Sequence, residues 1–115
     1  MAFPAIYPDV AVIHVLCADG DGNALIGNNK GVDEELVVTA GKVLLTTEEI
    51  VPELDKVDLI GPLVHGFVLT PHGATPTSCH PLYPMDGEAL LAYIEQVSDP
   101  ASFSDFLDHW LVKGR

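Results

Sequence analysis

The apolar positions of this chain gather into short runs separated by polar and glycine-rich breaks, and the runs predict strands interleaved with helices. Residues 9–17 (DVAVIHVLC) are nearly all apolar and rich in β-branched side chains, which suits a strand buried on both faces of a parallel sheet. The run stops at residues 18–23 (ADGDGN). There Gly20 and Gly22 accept a positive φ, and Asp19, Asp21 and Asn23 offer side-chain oxygens to nearby backbone. A short strand over residues 24–26 follows. Asp33 reads as the N-cap of a helix running to Ala40, with Glu34 and Glu35 in the first turn, where the helix dipole favours anions, and Gly41 as its stop. Residues 42–47 (KVLLTT) predict a second buried strand. Residues 48–61, interrupted by Pro52, predict a short turn of helix and then loop, and residues 63–69 a third strand.

From residue 70 to residue 84, four prolines and Gly73 exclude regular structure, a length at which ordered loops in compact domains are often functional. Asp86 then caps a helix whose Leu90, Ile94 and Val97 share one face. Asp99 and Pro100 open another, in which Phe103, Phe106, Leu107, Trp110 and Leu111 recur at helical spacing; core packing is the simpler account of that stripe. Strands alternating with helices predict an α/β architecture, an open and mostly parallel sheet with flanking helices and two helices at the C-terminal end.

Composition narrows the function more than the fold. At 115 residues the chain is expected to form one domain with a single modest core. The formal charge of −12, from 17 acidic against 5 basic side chains, repels nucleic-acid backbones and anionic lipid headgroups, so neither is an expected partner. Cys17 and Cys79 stand in no CxxC pair, and the N-terminal residues show no basic, signal-like region. The expectation is a cytoplasmic protein with reduced thiols.

Three blocks, in order, resemble the A-type subunit of the family I coenzyme A-transferases, the group that includes 3-oxoacid and glutaconate coenzyme A-transferases. Residues 8–23 (PDVAVIHVLCADGDGN) are similar to that family's strand followed by an A-D-x-x-G-N turn. Residues 41–52 (GKVLLTTEEIVP) are similar to its strand running into E-E-I-V. Residues 61–86 contain a Gly-Pro, a strand and then PHGATPTSCHPLYPMD, similar to its P-x-G-A-x-P…Y…D loop. The resemblance implies a domain that lacks the family's N-terminal portion and its glycine-rich loop. It also implies a separate B-type subunit, or a homo-oligomer, as partner. The family's catalytic glutamate lies in an E-x-G motif on the B-type side, and no Glu-Xaa-Gly occurs in this sequence. No catalytic residue is therefore assigned. An acyl-coenzyme A thioester is the expected substrate and no permanently bound cofactor is expected, although the acidic charge weighs against a complete coenzyme A site in this chain alone. The alternative is a non-catalytic oligomeric or binding module derived from such a transferase.

Within that frame the substrate-binding or interface candidates are Gly22, Asn23, Glu48, Glu49, His72, Gly73 and Ala74. Asn23 either positions an acyl carbonyl or pantetheine amide, or satisfies its own turn. Glu48 and Glu49 follow a predicted strand, where neighbouring carboxylates either divide acid and base roles or serve as scaffold. His72, Gly73 and Ala74 centre the long loop, where small residues either permit close approach of a ligand or a facing protein surface, or belong to a proline-stiffened connection that covers the end of the sheet. His14, His65, His72, His80 and Cys79 show no closed zinc-ligand spacing, so no metal is expected.

Overall fold

A computed structural model describes residues 4–113 and divides the chain into two compact units, Met1–Gly73 and Ala74–Arg115. The first unit holds strands β1 (Val10–Ala18), β2 (Ala24–Leu25), β3 (Lys42–Ile50) and β4 (Gly66–Leu69), with helix α1 (Asp33–Thr39) between β2 and β3. The strands form one open sheet in the order β2-β1-β3-β4. β1, β3 and β4 run parallel, and the short β2 folds back antiparallel on β1.

The β-branched run in β1 meets the run in β3 with Val10 opposite Lys42, Ile13 opposite Leu45 and His14 opposite Thr46. Alternation along the strands then sorts the side chains by face. Ala11, Ile13 and Val15 of β1 join Val43 and Leu45 of β3 in the core, covered by Val37 and Leu36 of α1. Val15, Val43 and Leu45 are almost completely enclosed, and burial of each stabilises the fold by roughly 2 kcal/mol. The opposite face carries Val10, Val12, Leu44 and Val68, all well exposed, and then His14, Thr46 and Glu48 toward the carboxyl ends of the strands.

Several expected boundaries move. Asp33 is the first residue of α1 rather than its N-cap; Val32 holds the cap position, with no side-chain cap, because the turn closed by Asp33 N–H on Lys30 C=O brings the chain into the helix one residue earlier than expected. β3 extends to Ile50, so Glu48 and Glu49 lie inside the strand and not beyond it, with Glu49 opposite Cys17 and Ile50 opposite Ala18. The helical turn expected soon after residue 48 occurs instead as a single 3-10 turn at Gly61–Leu63, started by Pro62, and β4 begins only at Gly66. Its approach is set by His65, whose N–H donates to Val43 C=O while its Nδ1 accepts from Val43 N–H.

The loop after β2 is tied down by Asp58. Its Oδ2 accepts from the N–H groups of Ile26 and Gly27, and Oδ1 lies 2.8 Å from the Lys30 ammonium. Burial pushes the Asp58 carboxyl up, but the Lys30 ammonium and the two backbone donors together outweigh it, and the net shift is below the ordinary 3.8. A carboxylate depressed in the folded state adds stability above its unfolded value and loses it as pH falls through the folded one. Urea titrations between about pH 5 and about pH 2 should therefore show stability falling below the ordinary aspartate range, with a shallower decline in Asp58→Asn. An unchanged decline would remove this role.

The second unit holds α2 (Gly87–Gln96) and α3 (Pro100–Lys113). Asp86 caps α2 as expected, its Oδ1 accepting from Ala89 N–H, and Asp99 accepts from Ser102 N–H and Oγ at the start of α3. Tyr93 meets Phe103 edge-on at 5.9 Å between ring centroids, and Phe106 stacks on Trp110 at the same separation. Phe103 and Phe106 thus pack against α2 through Tyr93, while Trp110 stacks on Phe106 within α3. The Ile94 and Val97 face of α2 stays open, at 61% and 44% exposure, and Leu111 is 60% exposed. Among the described residues no helix is long and apolar enough to cross a membrane.

Candidate functional site

The carboxyl ends of parallel strands are where open α/β sheets hold ligands, because successive loops diverge there. Two of the sequence-predicted groups lie at that edge, and they are built differently.

The turn after β1 is self-satisfied. Asp19 Oδ1 accepts from the N–H groups of Asp21 and Asn23, both at 2.9 Å, and Oδ2 accepts from Asn23 Nδ2 at 2.8 Å. The Asn23 side-chain amide, helped by the backbone donors, holds the Asp19 carboxyl below its ordinary value against the opposing effect of burial. Asn23 Oδ1 in turn accepts from Gly61 N–H at 2.9 Å. Both ends of the Asn23 amide are thus engaged in joining the β1 turn to the 3-10 turn. Gly22 sits at φ 84°, a conformation that glycine adopts without cost.

The second group converges on Glu48. β3 aims its side chain at the face that carries His14, and the segment after β4 closes over it. Oε1 accepts from His14 Nε2 at 2.8 Å and from Gly73 N–H at 3.1 Å; Oε2 accepts from His72 N–H at 2.7 Å. The Glu48 side chain is only 7% exposed. His14 Nδ1 lies 2.8 Å from Thr46 Oγ1. His72 adopts φ 60°, the one non-glycine residue with positive φ among those described, a strained conformation that persists where surrounding contacts impose it. Here the imposing contact is the carboxylate across two successive N–H groups.

Glu48, His72 and Gly73 are therefore brought together. Glu49 points to the other face, is exposed, and acts on Cys17, whose thiol is pushed up first by burial and then by the Glu49 charge. Ala74 begins the second unit, where its N–H donates to the Tyr83 hydroxyl. Sequence reasoning placed His14 inside an apolar strand and missed both it and Thr46 as members of the Glu48 group. The signal was available: His14, Thr46 and Glu48 are polar positions of equal parity that follow the apolar Val10, Val12 and Leu44 on the same face of the two strands.

No protein-family profile matches the chain. The A-type subunit of glutaconate CoA-transferase from Acidaminococcus fermentans is 32% identical over 117 aligned residues, which take in 96% of this chain and 37% of that one. The crystal structure of glutaconate coenzyme A-transferase from the same organism superposes with a TM-score of 0.87 over 93% of this chain. This chain is a homologue of the A-type subunits of coenzyme A-transferases. The A-type subunit of 3-oxoadipate CoA-transferase from Pseudomonas knackmussii is 30% identical, over 96% of this chain and 40% of that protein. A crystal structure of a variant of the decarboxylase AibA/AibB matches with a TM-score of 0.84 and 37% identity over 95% of this chain and 41% of that one. The homologue thus spans about two fifths of the length of these relatives, and the resemblance seen in its three sequence blocks extends to the fold.

Proposed function

We propose that this chain is the A-type part of an enzyme acting on acyl-coenzyme A, and that it helps bind the acyl group and carboxylate acceptor while a separate B-type subunit supplies the nucleophilic glutamate. The observation that carries the reading is the superposition on glutaconate coenzyme A-transferase over nearly the whole chain. The Glu48 group supports it locally. A carboxylate that fixes two successive backbone N–H groups gives the loop at the strand ends one defined shape, which positioning of a reacting acyl group demands.

A partner is supported by the open sheet face. Parallel sheets are normally covered on both faces, yet Val12 and Val68 are 63% and 55% exposed. A partner seated there would also exclude water from an acyl thioester bound beside Thr46 and His14.

The test is thioester exchange. Purified chain is mixed with a candidate B-type subunit, an acyl-coenzyme A and a carboxylate acceptor, and the new thioester is followed by chromatography. Exchange in the mixture and none in either component alone is the expected result. Its absence, together with no heat on calorimetric titration with coenzyme A, would overturn the reading in favour of a non-catalytic module.

A further inference from the structure

Carboxylate-for-carboxylate exchange of a thioester consumes and releases no proton, so the exchange reaction gives the hydrogen-bonded series Thr46–His14–Glu48 no proton to transfer. Its order is that of a nucleophile, a base and an orienting carboxylate. Thr46 Oγ1 is 2.8 Å from His14 Nδ1, and His14 Nε2 is 2.8 Å from Glu48 Oε1. The Glu48 carboxylate accepts from two backbone N–H groups as well, so it meets the ring as an acceptor. Nε2 of a neutral imidazole then carries the hydrogen, and Nδ1 presents its lone pair to the threonine hydroxyl. This is the arrangement that activates a hydroxyl nucleophile, recognised by geometry and roles rather than by position in a chain.

The surroundings suit an acyl group. Thr46 is half-buried, and its neighbours on the same face are Leu44 along β3 and Val68 across on β4, with Val12 paired to Leu44. These three side chains, each more than 40% exposed, form an apolar floor beside the hydroxyl. Thr46 and Glu48 lie two residues apart on one strand and His14 directly opposite Thr46, so the sheet itself, not a loop, fixes the series.

We propose that Thr46 is an acyl-accepting nucleophile and that the site hydrolyses short acyl thioesters. The choice of a thioester rests on the acyl-coenzyme A reading above; the nucleophile does not. Thr46 Oγ1 forms a bond to the acyl carbon while its proton passes to His14 Nδ1. The C–S bond breaks, and the departing sulfur takes that proton as the thiol. Water then attacks the threonyl ester, gives one proton to His14, and the carboxylic acid leaves as Thr46 recovers that proton. Thr46 and His14 are the catalytic residues; Glu48 is a positioning residue.

The test uses the full chain with two probes, acetyl-coenzyme A and p-nitrophenyl acetate, with acid quenching and mass spectrometry of the peptide that contains Thr46. Acetylation of Thr46 is expected, with retention in Thr46→Ser, loss in Thr46→Val and a decline of about 100-fold in acylation rate in His14→Gln. Glu49→Gln, on the other face, should react as the parent does. In Glu48→Gln the pH profile of acylation should move while Thr46 remains the labelled residue, a readout that a purely structural role would leave unchanged. Labelling by the oxyester alone supports the nucleophile and counts against the coenzyme A reading. Binding of coenzyme A with no label on Thr46 from either probe, or label confined to lysine or cysteine, overturns the proposal and leaves the earlier reading intact.

Discussion

Replacing Glu48 by alanine is expected to destabilise the sheet unit by about 3 kcal/mol, the largest effect of any single side-chain truncation at the candidate site. The magnitude follows from what the carboxylate leaves behind. His14 Nε2, part-buried, and the N–H groups of His72 and Gly73, on an exposed segment, all lose an acceptor whose own side chain is 7% exposed. A buried donor left without a partner costs ~1–3 kcal/mol, and relief of the His72 strain returns only part of that. Thermal unfolding should show a midpoint lower by roughly 10 °C, and hydrogen exchange should accelerate first at residues 72 and 73. A midpoint within a degree or two of the parent would mean that water replaces the carboxylate at no cost, and the account of the loop would fail.

Gly61→Ala carries the second large effect, and it arises from the backbone. A Cβ at position 61 would run into the carbonyl oxygen of Asp21, a contact that real Cβ atoms do not make, and backbone on both sides prevents an easy retreat. Position 61 also donates its N–H to Asn23 Oδ1, so displacement of either turn breaks the link between them. A loss of about 3 kcal/mol is expected, measured as a lower urea midpoint with an unchanged slope. Asn23→Ala should cost less, ~1–2 kcal/mol, because it removes hydrogen bonds without adding a clash. If the alanine at position 61 were the milder of the two, the tight contact between the turns would not be what holds them.

Asn23 was a candidate for touching an acyl group, yet its amide oxygen and nitrogen are both taken up in closing the turn, so its effect on a ligand runs through the position of Gly61. Glu48 stood beside Glu49 as an equal in the sequence. Strand alternation separates them, and only Glu48 joins the loop residues His72 and Gly73. The homologues of this chain include A-type subunits of two CoA-transferases and a decarboxylase structure, and in all of them the match covers less than half of the longer protein. That is why the activity of the whole assembly is a matter for the reconstitution experiment, while the Thr46–His14–Glu48 series can be tested on this chain directly.

Local patterning by itself determined the apolar strands, the polar turn after the first of them, the capped helices of the second unit and the α/β class. Each rests on contacts between residues close in sequence or on a run long enough to demand burial. The three motif blocks also pointed to the family. Tertiary structure alone decided which polar residues meet. His14 and Glu48 are 34 positions apart, and their contact depends on the parallel register of β1 and β3; a slip of one residue would send the two to opposite faces. The extension of β3 through Ile50 and the left-handed His72 have the same origin. Each is imposed by hydrogen bonds between segments distant in the chain, and no local preference of the residues themselves encodes it.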